Sequence, residues 1–207
     1  MPVFDIETDG LNATKIHCVV YEKNGEYVAL TKYDDMRKFF LSQKILIGHN
    51  IIRFDISTLN RLLDISISSQ LIDTLSLSWY LEPNRKIHGL EEWGEVFGVP
   101  KPKITDWENL TVEEYVHRCT EDVKINTILW QRQRKQLMGL YGSYEETDKF
   151  LRYMEFKLDC AREQERSRWK LDSIRVVSAI SDLETEKIGK LGELREAMPR
   201  IPIFVTR

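Results

Sequence analysis

Asn24-Gly25 lies between two runs rich in β-branched and aromatic residues, 16–21 and 27–31. Asn and Gly tolerate the positive φ that a tight hairpin turn demands, so the two runs pair antiparallel. Another apolar run, 3–6, precedes them. Residues 35–41 read as a short helix, after which Ile45-Leu46-Ile47-Gly48 returns as a buried strand. A helix between two strands implies a parallel crossover. Hairpin and crossover together place the chain in the α/β class, with a mixed sheet.

Helical periodicity dominates after Gly48. Ile56, Leu59, Leu62 and Leu63 form one stripe. Leu71-Ile72-Asp73-Thr74 leads into a helix through Leu77 and Leu81, and residues 90–97 form another, stopped by Gly98 and Pro100. Residues 100–110 read as a loop. Thr111-Val112-Glu113-Glu114 has capping-box spacing, and Thr120-Glu121-Asp122 offers a second helix start. Residues 139–144 break the pattern, which predicts a domain over 1–144 and a helical extension over 145–207. That extension holds an amphipathic stretch, 145–170, with Phe150, Met154, Leu158 and Ala161 on one face. A second helix, 172–197, and a strand-like run, 201–205, follow it.

Composition narrows the partners. A 42% hydrophobic fraction in 207 residues fills a core, and five Trp argue against disorder. Thirty Lys and Arg against 33 Asp and Glu leave a formal charge of −3, which excludes nucleic-acid binding through bulk positive charge. Cys18, Cys119 and Cys160 are widely spaced, against a disulfide scaffold or a structural zinc site. No apolar run approaches the ~20 residues of a membrane span. The opening residues carry no basic and apolar leader, so a cytoplasmic protein without membrane partners is expected.

Asp-x-Glu occurs at Asp5-Glu7, Asp106-Glu108 and Asp182-Glu184. On a strand, residues i and i+2 share a face ~7 Å apart and can converge on one cation. On a helix they diverge by roughly 200°, which sets Asp182-Glu184 aside. Asp106-Glu108 falls in the loop, as solvated acids. Asp5 and Glu7 alone end a core strand, where two charges are costly without a cation or partners. Asp55 follows the buried strand at the start of the striped helix. It either caps that helix or points over the strand ends, where open α/β sheets gather ligands. Asn50 and Phe54 add an amide and a ring face suited to a nucleotide. His117, five residues before Asp122, is either a base beside a metal ligand or ordinary surface. Arg132, Arg134 and Lys135 read as a solvated helix face.

Taken together, Asp5-x-Glu7, Asn50-x-x-x-Phe54-Asp55 and His117-x-x-x-x-Asp122 resemble the three motifs of the DEDD superfamily of 3′→5′ exonucleases. Asp5-Ile6-Glu7-Thr8-Asp9-Gly10-Leu11 is similar to that superfamily's first motif. Ile72-Asp73-Thr74-Leu75, His88-Gly89-Leu90-Glu91-Glu92-Trp93-Gly94 and Arg162-Glu163-Gln164-Glu165 resemble the proofreading domain of bacteriophage-encoded family A DNA polymerases and the segment that follows it.

This resemblance implies a ribonuclease-H-like mixed sheet flanked by helices, with a C-terminal helical extension beginning a polymerase domain in the full-length chain. It implies removal of mononucleotides from single-stranded DNA 3′ ends, in the host-cell cytoplasm if phage-encoded. It also implies two divalent cations, Mg²⁺ or Mn²⁺, since carboxylates are hard oxygen ligands. Asp5 would bridge both ions, Glu7 and Asp122 complete the first, and Asp55 hold the second through water. His117 would take the proton of the attacking water. Thr8 and Leu11 would touch the terminal nucleotide, and Asn50 and Phe54 line its pocket.

Proofreading domains of that polymerase family carry Tyr four residues before the last acid; here that position is Arg118. The spacing of His117 instead resembles the His-bearing branch of the superfamily. On a continuous helix a residue five positions before Asp122 sits ~140° away, so His117 requires a helix break near Cys119-Thr120. Two other readings remain: a free-standing exonuclease trimming RNA or DNA ends, and a non-catalytic nucleic-acid scaffold.

Overall fold

The computed structural model describes residues 1–102, 110–168 and 170–198. Asp106-Glu108 and the strand-like run 201–205 lie outside them. Two compact units are present, 1–166 and 167–207.

In the first unit the hairpin forms as its turn residues require. β1 (Phe4–Thr8) pairs antiparallel with β2 (Ile16–Lys23), and β2 with β3 (Glu26–Leu30). Asn24 (φ 55°) and Gly25 (φ 86°) supply the two left-handed positions between Lys23 and Glu26. The chain crosses through α1 (Tyr33–Ser42) to β4 (Ile45–Gly48), and through α2 (Asp55–Leu63) to β5 (Gln70–Asp73), which is parallel to β4. A parallel bridge between Val3 and Ile47, with Ile47 N–H donating to Pro2 O at 3.1 Å, joins β4 to β1. The strands therefore run in the order 3-2-1-4-5.

Strand alternation decides what each face meets. Phe4, Ile6 and Val19 pack with Met36, Phe40, Ile56, Leu59 and Leu63 of α1 and α2. Val3, Cys18, Val20, Ile47 and Ile72 pack on the other side with Leu77 of α3 (Thr74–Leu81) and with α5 (Val112–Tyr141). Asp5 and Glu7 share the register of Val3, so they face α5.

α5 is one unbroken helix of 30 residues. Thr111 accepts from Glu114 N–H while the Glu114 carboxylate accepts from Thr111 N–H, and Gly142 (φ 73°) ends the helix. The break expected at Thr120 is absent. The Thr120 hydroxyl donates to Val116 O at 2.6 Å, back along the helix, instead of capping a new one.

α6 (Tyr144–Ser167) begins at the expected boundary and lies within the first compact unit as far as residue 166. Thr147 and Leu151 are buried, and Phe150 and Met154 pack on the α5 side of the sheet. Glu155 accepts from Leu71 N–H at 2.9 Å and Asp148 from the Gln70 amide at 3.1 Å, so α6 covers the edge of β5. In the second unit α7 (Ser173–Ala197) is capped by Asp172 and buries none of its residues. Among the described residues no helix is long and apolar enough to cross a membrane.

α4 (Leu90–Phe97) packs Trp93 against Ile125 and Leu129 of α5. Gly94 makes this approach possible: a Cβ there would lie 2.5 Å from Val99 O and 2.9 Å from Ile125 Cδ1. Gly94→Ala is therefore expected to destabilise the fold by about 1–3 kcal/mol, measured by urea unfolding. No loss would contradict the close packing of α4 on α5.

Candidate metal centre

Asp5 and Glu7 project from β1 toward the face of α5 that carries Asp122. One carboxylate oxygen from each of the three lies within 4.8 Å of the others. Asp122 is only 4% exposed, and its Oδ1 is buried with no hydrogen-bond partner among the described residues. Asp55, the first residue of α2, is also buried. Its charge acts on Asp5, but it stands outside the tight group of three. The α2 cap position belongs to Phe54, which makes no side-chain cap bond, so Asp55 is not the cap.

Crowding like charges out of water has one electrostatic consequence. Burial, then the charges of Asp122, Asp55 and Glu7, push the Asp5 carboxyl well above its usual range. Burial also raises Asp55, and raises Asp122 against the pull of Lys101. Burial brings Glu7 up to about 7, opposed by Arg118.

Three donors engage these acids. Lys101 Nζ lies 2.6 Å from Asp122 Oδ2, Arg118 Nε lies 3.1 Å from Glu7 Oε1, and the Cys119 thiol lies 3.7 Å from Asp5 Oδ2. Arg118 sits one helical turn before Asp122, on the same face. His117 does not join the cluster: it is exposed on the unbroken α5, which removes the geometry its assignment as base requires.

The remaining expected residues lie on β1, the loop after it and the turn before α2. Thr8 ends β1 and donates to Gly10 O at 3.1 Å. Leu11, 88% exposed, rides on a loop that Asp9 ties down by accepting from Thr14 N–H (2.8 Å) and Lys15 N–H (3.0 Å). Asn50 (φ 64°) and half-buried Phe54 occupy the turn before α2, closed by Phe54 N–H donating to Asn50 O.

That turn depends on Asp73, a residue whose role the motif spacing does not reveal. Buried at the end of β5, its Oδ1 accepts from Asn50, Leu75 and Ser76 N–H, and its Oδ2 from Ile52 N–H, at 3.0–3.3 Å. It caps α3 and fastens the 50–54 turn to the sheet at once. The available signal was an acid placed just before a helix start.

Hard oxygen donors, a buried carboxylate oxygen without a partner among the described residues and raised carboxyl pKa values fit a small divalent cation. Asp5, Glu7 and Asp122 would hold it.

No family model matches the sequence, and no curated protein matches it. Solved structures do match in shape. One is described as the apo form of a nuclease: TM-score 0.61 at 18% identity, over 83% of this chain and 88% of that one. NrnC of Brucella melitensis with bound Mg²⁺ gives 0.56 at 17%, over 83% and 89%. The same protein bound to pGG gives 0.56 at 18%, over the same shares. The fold is ribonuclease-H-like. At such identities the likeness establishes architecture alone, and function must be argued from the site.

Two outcomes are expected. Asp73→Ala strips a cap and leaves buried N–H groups unpaired, so it should cost about 2–4 kcal/mol in chemical unfolding. A cost within error of zero would contradict the anchoring role. The second concerns pH. Glu7 is raised from its usual 4.5 to about 7, so in EDTA its contribution to stability falls as pH rises through that window. An ion needs the ionised form, so the rise in Tm on adding Mg²⁺ should grow over the same window and level off above it. A Tm gain independent of pH would contradict this.

Proposed function

We propose that this chain is a metal-dependent 3′→5′ exonuclease that removes mononucleotides from DNA 3′ ends. The observation that carries the reading is the convergence of Asp5, Glu7 and Asp122 within 4.8 Å, with Asp122 Oδ1 unpartnered among the described residues and the Asp55 charge acting on Asp5. The fold supports it, and so does Mg²⁺ in a structure of the same architecture. The similarity of the 72–75, 88–94 and 162–165 segments favours the proofreading domain of a bacteriophage-type family A polymerase. On that reading the residues after the exonuclease domain lead into a polymerase domain.

Hydrolysis joins a water oxygen to phosphorus and breaks the bond to the 3′ oxygen of the preceding nucleotide. It releases a 5′-mononucleotide and a shortened strand. Divalent ions supply charge neutralisation at the phosphate and activation of the water. The chain presents Asp5, Glu7, Asp55 and Asp122 to hold two such ions. Exposed Leu11 and the Phe54 ring are the surfaces on which a terminal base can rest, with Asn50 beside them. Arg118 cannot accept a proton, because a guanidinium stays protonated.

The alternative of a free-standing exonuclease draws support from coverage, since the similar nuclease and NrnC chains are spanned to 88–89%. pGG bound to NrnC makes pGG the rival substrate. The two readings separate on 5′-labelled substrates with Mn²⁺: a single-stranded DNA, an RNA of the same sequence, and pGG. Stepwise shortening of the DNA from its 3′ end, abolished by EDTA, supports proofreading-type activity; action on pGG alone supports the alternative.

Asp5→Ala should lower the rate ~10³-fold or more, because it removes a ligand at the centre of the acids. His117→Ala should stay within a factor of ~2, as expected for an exposed side chain outside the cluster. A large His117 effect, or an active Asp5→Ala variant, would contradict the site as drawn.

A further inference from the structure

The segment after α4 brings a lysine to the acids, and its placement is fixed from both sides. Val99 N–H donates to Gly94 O at 2.9 Å, closing the end of α4 at Gly98 (φ 70°). Three residues after Val99, Arg118 Nη1 donates to Pro102 O at 3.1 Å. Between these anchors Lys101 reaches inward to place Nζ 2.6 Å from Asp122 Oδ2, with 18% of its side chain exposed. One oxygen of Asp122 therefore carries an ammonium, while the other, buried, carries nothing among the described residues.

We propose that Lys101 is a catalytic residue of this site: parked on Asp122 when no ion is bound, its ammonium passes to a non-bridging oxygen of the scissile phosphate when ion and strand are in place. This rests on the nuclease reading above. The charges give the direction. Asp5, Glu7 and Asp122 offer three negative charges against the two positive charges of Lys101 and Arg118. With a divalent ion held by those acids, the nearest ammonium would be repelled, and the nearest new anion would be the scissile phosphate. Arg118 is tied to both Glu7 and Pro102 O, so Lys101, a single ammonium on a flexible stem, is the one able to shift. Held by its segment, it remains at the site mouth and meets charge that builds on the phosphate oxygens as the water bond forms.

The test uses the full chain and two readouts. Mn²⁺ binding is followed by calorimetry without nucleic acid, and turnover is followed on a 5′-labelled single-stranded DNA at saturating Mn²⁺. Lys101→Ala and Lys101→Met should bind Mn²⁺ at least ~3-fold more tightly, because a competing cation is gone. The same variants should lose ~10–100-fold in kcat, and Lys101→Arg should restore most of it. Unchanged or weaker Mn²⁺ binding would overturn the parking on Asp122. Tighter binding with unchanged kcat would overturn the catalytic role and leave a passive plug. A wild-type chain that cleaves no strand would sink the nuclease reading and that role together, while the Mn²⁺ arm still decides the parking.

Discussion

Carboxylates taken out of water and set within 4.8 Å of each other repel, and every notable feature around Asp5, Glu7 and Asp122 answers that repulsion. Burial raises all three, so the group resists carrying its full negative charge without a cation. Lys101 and Arg118 take one oxygen of Asp122 and one of Glu7, and the Cys119 thiol approaches Asp5. A group that costs stability this way is kept where the cost has a use, and a divalent cation is the partner its chemistry favours.

The architecture exists in large part to bring two elements together at this point. β1 lies inside the sheet, between β2 and β4, so the face it shows to α5 is set by strand alternation and cannot slip without burying the wrong residues. α5 crosses that face as one straight helix and places Arg118 and Asp122 a turn apart. α2 adds Asp55 through a turn held by Asp73. Strand ends, a helix face and a fastened turn are rigid supports, which suits a site that must hold ligand oxygens in register.

Much of this was readable in the residues. Asn24-Gly25 and the apolar return at Ile45 foretold the mixed sheet, because turn chemistry and burial are local or periodic. Asp5 and Glu7 stood out since period 2 puts them on one face, and the structure brings Asp122 to them. Other features were not readable, for physical reasons. His117 requires a helix break, and Thr120 looks like a cap in sequence; packing of Cys119 and Val123 against the sheet keeps the helix intact. The bonds of Glu155 and Asp148 to β5 span more than 70 residues and leave no local trace. Lys101 escaped notice because its partner lies on another element, and charge pairing at a distance leaves no periodic trace. The bonds of Asp73 to Asn50 and Ile52 depend on β4 and β5 lying side by side, which the sequence around it does not encode locally.

The central claim is that this acid group is a divalent-cation site. Crystals of the chain soaked in Mn²⁺ and measured at the manganese absorption edge test it directly. The account requires an anomalous peak between Asp5, Glu7 and Asp122, with Asp122 Oδ1 among its ligands and a second peak toward Asp55. Anomalous density elsewhere, or none with Lys101 still on Asp122 at saturating Mn²⁺, would contradict it.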